Sequence, residues 1–190
     1  MKDKTITYQQ MTSNHFEQII ALAIEVHGHG YTDMTSLTEW FNQGVKNGIN
    51  ANYVALDGDK VVGFRITFAP QQWQIDKWCS PNKWGFPENT VSYFKCNTVN
   101  EDYRGYGIGS QLLKLSMAAC VKQGAKAGIA HLWRQSPGNS AVKYFTKCGG
   151  TLVQDHPDRW YDLTLEGYEC PVCDKYCHCV AAEMILDFQN

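Results

Sequence analysis

A glycine-rich turn between a predicted strand and a predicted helix is the first place where this sequence indicates chemistry. It reads Arg104-Gly105-Tyr106-Gly107-Ile108-Gly109-Ser110. Glycines let the backbone approach an anion closely, and the N–H groups at a helix start favour a phosphate or pyrophosphate. The turn lacks the Gly-Lys-Ser/Thr of a P-loop, and a dinucleotide-binding motif begun at Gly105 would need glycine in place of Ser110. A tight turn without a ligand is the alternative.

Cysteines are concentrated near the C-terminal end, where four of the eight lie within ten residues. They form Cys170-Pro171-Val172-Cys173 and, after a short gap, Cys177-His178-Cys179. A C-x-x-C turn lets two sulfur atoms converge, and residues 177 and 179 of an extended segment point to the same side. A structural zinc site is therefore predicted, with four thiolates and no open position for catalysis. Its ligands would be Cys170, Cys173, Cys177 and Cys179. Reduced, partly buried thiols or an exposed, oxidation-prone cluster are the alternatives.

Length and composition restrict the classes of protein to which the chain can belong. It has 190 residues, 44% hydrophobic and 19% charged, which predicts a folded globular chain. The net charge of −2 argues against a nucleic-acid-binding protein. No apolar run is long enough to cross a bilayer, and no signal segment follows the N-terminus. We therefore expect a cytoplasmic protein without nucleic-acid or membrane partners. A homodimer is compatible with the sequence.

The periodicity of apolar residues predicts alternating strands and helices. Strands are expected over 5–9, 52–56, 61–68, 90–99, 128–133, 151–154 and 159–165. Helices are expected over 14–27, 36–46, 108–123 and 139–148, and residues 180–188 are either a strand or a helix. This order predicts an α/β fold with a mixed, mostly antiparallel central sheet flanked by helices. We expect one domain over 1–166 and a short cysteine-rich C-terminal extension over 167–190.

Residues 99–113 closely resemble the acetyl-coenzyme A signature of the GNAT (GCN5-related) N-acetyltransferase family, and the element order over 5–165 is similar to that of the family. The resemblance implies an enzyme that moves an acetyl group from acetyl-coenzyme A, its co-substrate, directly to a primary amine in a ternary complex. The turn would bind the pyrophosphate, and the end of the preceding strand would lie along the pantetheine arm. Coenzyme contacts are implied for Asn97, Thr98, Val99, Arg104, Gly105, Tyr106, Gly107, Ile108, Gly109, Ser110 and Asn139.

The helix over 139–148 departs from the family pattern at the position of its usual tyrosine. Counting back from Gly149, that position holds Phe145, and Tyr144 lies one step away, about 100° around the helix. Tyr144 is the candidate acid that would protonate the leaving thiolate. The departure leaves a non-catalytic protein that binds or senses acyl-coenzyme A as an alternative. An interaction module that uses the cysteine-rich tail is another.

The general base and the acceptor amine are not identified by the sequence. A neutral histidine is suited to proton transfer near neutral pH, but each candidate has a purely structural alternative. The candidates are His27, His29, Asp33, Glu39 and His131. Residues 70–89 carry Trp73, Trp78 and Trp84, which either cover the acceptor or pack on the core beneath them. Cys96 is expected to be a packing residue because direct transfer requires no cysteine nucleophile.

Overall fold

The computed structural model describes residues 5–189. Within this range the chain forms a seven-stranded sheet and a separate two-stranded ribbon. The order across the large sheet is β1-β4-β5-β6-β7-β9-β8. All neighbours are antiparallel except β6 and β7, which are parallel. The predicted mixed, mostly antiparallel sheet is therefore confirmed. Its strands are β1 (Ile6–Gln10), β4 (Tyr53–Asp57), β5 (Lys60–Phe68), β6 (Val91–Val99), β7 (Ala127–Trp133), β8 (Thr151–His156) and β9 (Ala181–Asp187), and the ribbon is β2 (Val45–Lys46) with β3 (Ile49–Asn50).

Helices cover both faces of the sheet. On one face, α1 (Phe16–His27) and α2 (Met34–Gln43) bury Phe16, Ile19 and Leu37 against β4, β5 and β6. On the other face lie α3 (Ile108–Lys122) and α4 (Ser140–Lys147). Leu113 of α3 and Phe145 of α4 pack there on Phe94 of β6. A further short helix, α5 (Tyr161–Leu165), follows β8.

The prediction of a strand over 159–165 is wrong, because these residues form a turn and helix α5. Its aromatic and β-branched residues resemble a strand in composition, but Asp158 has a left-handed φ of 60° that turns the chain back. The strand that pairs with β8 comes from further along the chain. It is β9, which lies between β7 and β8 with Glu183 in its middle.

Strand β9 belongs to the segment 167–190, which was predicted as an extension separate from the domain over 1–166. Residues 181–187 hydrogen-bond to both β7 and β8, and residues 181–186 are buried. The cysteine-rich residues 170–179 thus lie in a loop between α5 and a strand of the central sheet. Within residues 5–189, no helix is long and apolar enough to cross a membrane.

Candidate functional site

The central feature of the molecule is a gap in the sheet where β6 and β7 part. The two strands are paired from Val91 with Ala127 up to Tyr93 with Ile129, and no later pair is formed between them within the described residues. From residue 94 onward, β6 stays with β5, whereas β7 follows β9 as far as Trp133. The result is a V-shaped opening lined on one side by the last residues of β6.

Backbone groups of β6 are directed into this gap. The N–H of Asn100 donates to the carbonyl of Val62 at 2.9 Å. From there, hydrogen-bonded and non-hydrogen-bonded residue pairs alternate along β5 and β6. In an antiparallel pair, alternate residues turn their N–H and C=O groups away from the partner strand. Asn97 and Val99 are those residues here. An extended arm lying in the gap can therefore hydrogen-bond to β6 as an additional strand would.

The predicted glycine-rich turn leads from the end of β6 to the start of α3. Gly105 and Gly107 have φ values of 83° and 75°, a left-handed backbone that glycine adopts without strain. The first α3 hydrogen bond runs from Gln111 N to the Gly107 carbonyl, at 3.0 Å. The N–H groups of Ile108, Gly109 and Ser110 thus precede the helical hydrogen-bond pattern. A Cβ added at Gly105 or Gly107 would meet no atom of the described residues within 4 Å, so both glycines border open space.

Tyr144 of α4 reaches the start of α3. Its hydroxyl donates to the Gly109 carbonyl at 3.2 Å and accepts from Arg65 Nη2 at 2.6 Å. A Cβ at Gly109 would lie 3.1 Å from Asn97 Nδ2 and 3.6 Å from the Tyr144 ring, which shows how closely these three residues converge. Asn97, Gly109 and Tyr144, three of the predicted site residues, therefore meet at the gap.

Arg65 is a residue of this site that the sequence analysis missed, as are Tyr93 and Lys95. It is 2% exposed, its guanidinium carbon lies 5.0 Å from the centre of the Phe94 ring, and its Nε has no hydrogen-bond partner among the described residues. Burial raises the pKa of Tyr144, and the Arg65 cation opposes that rise. An arginine inside a strand of mostly apolar residues, β5, is the signal that could have indicated it. The site thus contains a buried positive charge beside a hydroxyl.

Phe145 and Asn139 show how α4 departs from the family pattern. Phe145 is completely buried and packs edge-on against Phe94, so the usual tyrosine position faces the core. Asn139 precedes α4 in a left-handed conformation. Its Oδ1 is buried and has no hydrogen-bond partner among the described residues. Tyr144 is therefore the hydroxyl that α4 presents to the gap.

Thr98, between Asn97 and Val99, points to the opposite face of the sheet. Its hydroxyl lies 2.8 Å from His27 Nε2 and 3.2 Å from Cys96 Sγ. The His27 ring stacks on Tyr31 with centroids 4.3 Å apart. Burial, with a smaller contribution from Lys95 and Arg104, lowers the pKa of His27 to about 4, so its imidazole is neutral at pH 7. This is the face on which α1 and α2 pack.

On the same face, Tyr93 and His131 form a hydrogen-bonded chain at the point where the gap begins. The Tyr93 hydroxyl lies 3.1 Å from His131 Nδ1, and His131 Nε2 lies 2.6 Å from the Trp78 carbonyl. A carbonyl only accepts, so Nε2 carries the proton and Nδ1 accepts from Tyr93. Burial lowers the pKa of His131 to about 4. The two hydrogen bonds therefore hold the His131 imidazole in its neutral form, next to the Tyr93 hydroxyl.

Lys95 lies at a bulge of β6, opposite the register shift between Ile66 and Thr67. Its ammonium lies 4.4 Å from the centre of the Trp40 ring, an attractive arrangement for a cation. Burial lowers the pKa of Lys95 to about 8. Arg159 lies beside Tyr93, with its guanidinium 5.5 Å from the centre of the Trp78 ring. Asp76 Oδ2 lies 3.4 Å from Arg159 Nη2, so a carboxylate accompanies these two cations on the α1–α2 side of the gap.

The tryptophan-rich segment 70–89 is anchored to the sheet through Glu183, which is fully buried. Glu183 Oε1 accepts from Trp84 Nε1 at 2.7 Å and from Ser80 N at 2.8 Å, and Oε2 is 2.9 Å from His156 Nε2. Burial would raise the pKa of Glu183, but these hydrogen bonds outweigh it and hold the pKa below its usual value. The donors from His156, Trp84 and Ser80 account for a structural role of this carboxylate. Trp73 and Trp84 are core residues, whereas Trp78 lies beside the Tyr93–His131 chain.

The remaining base candidates lie elsewhere. Asp33 caps α2, accepting from Ser36 N at 2.8 Å. Glu39 and His29 are exposed. Burial raises the pKa of the Cys96 thiol, which makes it a poor nucleophile. The four predicted zinc ligands come together in the loop before β9, at some distance in sequence from the gap.

The sheet is mixed and opens between its two parallel strands, next to the glycine-rich start of a helix. These features define an acyl-coenzyme A-dependent transferase fold. The model for the acetyltransferase (GNAT) family matches residues 16–150. The chain therefore belongs to this family, and the resemblance of residues 99–113 is confirmed. A comparison with curated protein sequences finds no significant match.

Solved structures share the fold over nearly the whole chain. The ribosomal-protein-S18-alanine N-acetyltransferase from Escherichia coli has a TM-score of 0.68 at 13% identity, over 97% of this chain and 94% of its own. Arabidopsis thaliana Naa50, in complex with the bisubstrate analogue CoA-Ac-MVNAL, has a TM-score of 0.64 at 17% identity, over 96% and 98%. The structure of yncA from Salmonella typhimurium with its cofactor acetyl-CoA has a TM-score of 0.66 at 13% identity, over 96% and 94%.

Proposed function

We propose that this protein transfers an acetyl group from acetyl-coenzyme A directly to a primary amine, with both substrates bound at the gap between β6 and β7. The observation that carries the proposal is the parting of these strands after Tyr93 and Ile129, directly before the glycine-rich start of α3. The pyrophosphate would bind at residues 104–110, and the pantetheine arm would lie along Asn97 and Val99. The family's coenzyme and the yncA complex with acetyl-CoA support this arrangement.

The acceptor would approach from the α1–α2 face. Its nitrogen attacks the thioester carbon, and it must lose a proton because an alkylammonium has a pKa of about 10. The Tyr93 oxygen is the acceptor for that proton, since its own proton already points to His131 Nδ1. The Tyr93 proton would move to His131 Nδ1, and the resulting imidazolium would keep its Nε2–H hydrogen bond to the Trp78 carbonyl. Tyr93 and His131 thus form the proposed proton relay.

The leaving thiolate would emerge on the α3–α4 face. There, the Tyr144 hydroxyl can turn from the Gly109 carbonyl to the sulfur and donate its proton, while the Arg65 cation stabilises the negative charge that develops. The N–H groups of Asn97 and Val99 are directed into the gap and would stabilise the oxyanion. In this step the C–N bond forms, the C–S bond breaks and coenzyme A leaves as the thiol.

Coenzyme binding is tested first, by calorimetric titration with acetyl-coenzyme A. Wild-type protein should bind, and Gly107→Trp should bind at least about tenfold more weakly, or about 1.4 kcal/mol, because its side chain fills the phosphate-binding turn. Gly48→Trp is the matched control: Gly48 also has a φ of 75° and open space around it among the described residues, but it lies in the β2–β3 turn. No binding by wild-type protein at millimolar coenzyme contradicts the proposal.

Catalysis is tested by thiol release over a panel of amines. Peptides with a free N-terminus are the first acceptors to try, because one structural relative is a ribosomal-protein-S18-alanine N-acetyltransferase and another was solved with the bisubstrate analogue CoA-Ac-MVNAL. Small amines, amino acids, aminoglycosides and lysine peptides complete the panel. Coenzyme binding without turnover on any amine would instead favour a non-catalytic coenzyme-binding protein, the alternative that buried Phe145 suggests.

A further inference from the structure

Four thiols converge in the loop between α5 and β9. The sulfur atoms of Cys170, Cys173, Cys177 and Cys179 all lie within 4.8 Å of one another. Cys179 Sγ is 3.8 Å from Cys170 Sγ and 3.8 Å from Cys173 Sγ. A disulfide requires about 2.05 Å between its sulfur atoms, so these contacts are not disulfide bonds, and all four cysteines are free.

The spacing of the sulfur atoms has the dimensions of a tetrahedral metal site. Zinc binds thiolates at about 2.3 Å, and the corners of a tetrahedron of that radius lie about 3.8 Å apart. The two Cys179 contacts have this length. One ion at the centre would therefore reach its ligands with little movement of the chain.

The backbone around the thiols is arranged as metal-binding turns require. The N–H groups of Val172 and Cys173 donate to Cys170 Sγ, and the N–H of Cys179 donates to Cys177 Sγ. Such bonds compensate part of the negative charge of a thiolate. His178 turns away, with its Nδ1 2.8 Å from Asp158 Oδ1 at the surface. The ligand set is thus four sulfur atoms, without the histidine.

The loop has no regular secondary structure of its own to hold it in one conformation. Its fully described residues 166–180 contain no helix or strand, and a loop of that length without internal structure is uncommon unless something orders it. Val172 and Tyr176 are exposed, whereas Cys177 and Cys179 are 1% and 2% exposed. The thiols are therefore the core of this loop.

We propose that Cys170, Cys173, Cys177 and Cys179 bind one structural Zn²⁺ ion. Tetrahedral S₄ sites select zinc or iron, and zinc is the redox-inactive ion of structural sites. Four protein ligands leave no position for a substrate or an activated water, so the ion takes no part in acetyl transfer.

The loop that the ion would hold packs against the turn between α1 and α2. Glu169 N donates to the His29 carbonyl at 3.1 Å, and the Tyr168 hydroxyl donates to the His27 carbonyl at 3.1 Å. Gly28, with a φ of 96°, is required there, because a Cβ would lie 2.2 Å from the Glu169 carbonyl oxygen. The ion would thereby fix one wall of the acceptor side. This consequence rests on the proposed function, but metal binding itself does not.

Elemental analysis of full-length protein tests the proposal. The chain is expressed without a histidine tag and purified without added metal. We expect one zinc ion per chain in the wild type, and a ratio near zero in Cys173→Ser and Cys177→Ser. Cys79→Ser, which changes a thiol outside the cluster, should keep the ion. Gly107→Trp should keep it too, which separates metal binding from coenzyme binding.

A measurement on the wild type keeps the proposal testable if the cysteine variants do not fold. An organomercurial should release one equivalent of zinc to a metal-sensitive dye, and hydrogen exchange should then become faster over residues 167–180 and 27–30. Three outcomes overturn the proposal: a zinc ratio near zero in wild-type protein, iron in place of zinc, or zinc retained by folded Cys173→Ser protein.

Discussion

Tyr144→Phe is the substitution that most directly separates catalysis from packing at the gap. It removes one oxygen atom and leaves the ring in place. The hydroxyl has two partners, Arg65 Nη2 at 2.6 Å and the Gly109 carbonyl at 3.2 Å. If it protonates the leaving thiolate, kcat should fall by about 10²-fold or more, the usual contribution of a general acid. This corresponds to about 2.7 kcal/mol of transition-state stabilisation.

The same substitution also has a stability cost that must be measured separately. It leaves a nitrogen of the buried Arg65 without its acceptor, which costs about 1–3 kcal/mol of unfolding free energy. Steady-state kinetics per folded molecule, together with urea denaturation, distinguishes the two effects. Tyr8→Phe is the control, since Tyr8 lies on β1 at the far edge of the sheet.

Acid catalysis predicts a lower kcat with little change in KM for acetyl-coenzyme A. The pKa of Tyr144 is raised by burial, so the hydroxyl stays protonated throughout the neutral range and no loss of kcat from its ionisation should appear there. A variant that loses stability but keeps the wild-type kcat would refute the assignment. The proton for the thiolate would then come from water or another side chain.

Three further predictions concern the surroundings of the gap. The pKa of His131 is about 4 in the folded protein against 6.5 when unfolded, so the stability that neutral His131 contributes at pH 7 is lost as the pH falls below 6.5. Between about pH 7 and about pH 5, the free energy of unfolding measured in urea should therefore fall by about 2 kcal/mol less in His131→Gln than in wild type. Glu183→Gln should lower the unfolding free energy by about 3 kcal/mol because it removes a fully buried, hydrogen-bonded charge, whereas exposed Glu88→Gln should change it little in the same assay. Phe145→Tyr should destabilise by about 1–3 kcal/mol without raising kcat, since the added hydroxyl is buried in an apolar cluster; a faster enzyme would contradict the assignment of Tyr144 as the acid.

The glycine-rich turn and the strand before it were predictable because their signals are local. Gly105 and Gly107 adopt the left-handed conformations that their residue type allows, and helix α3 begins where the apolar period begins. Tyr144 was predictable as a candidate for the same reason. Its partner Arg65 was not, because the two residues are 79 positions apart and meet only through the packing of α4 on the sheet.

The position of β9 was beyond the reach of local reasoning. Residues 159–165 and 181–187 both carry strand-forming residues, and only pairing decides which of them enters the sheet. Strand β9 does so because it can satisfy backbone groups of β7 and β8 at once while burying Glu183 against His156. The cysteine cluster before it was correctly located as a group, but its relation to the α1–α2 turn depends on that pairing.

The bulge at Lys95 explains how one strand can serve both faces of the gap. In a regular strand, residues 93, 95 and 97 would share a face. The register shift opposite Ile66 and Thr67 inserts one extra residue, so Tyr93 lies on the α1–α2 face and Asn97 on the α3–α4 face. Without the bulge, the proposed proton relay and the coenzyme side of β6 would occupy the same face. In the proposed reaction, the irregularity would therefore let a proton leave the amine on one side of the sheet while another reaches the thiolate on the opposite side.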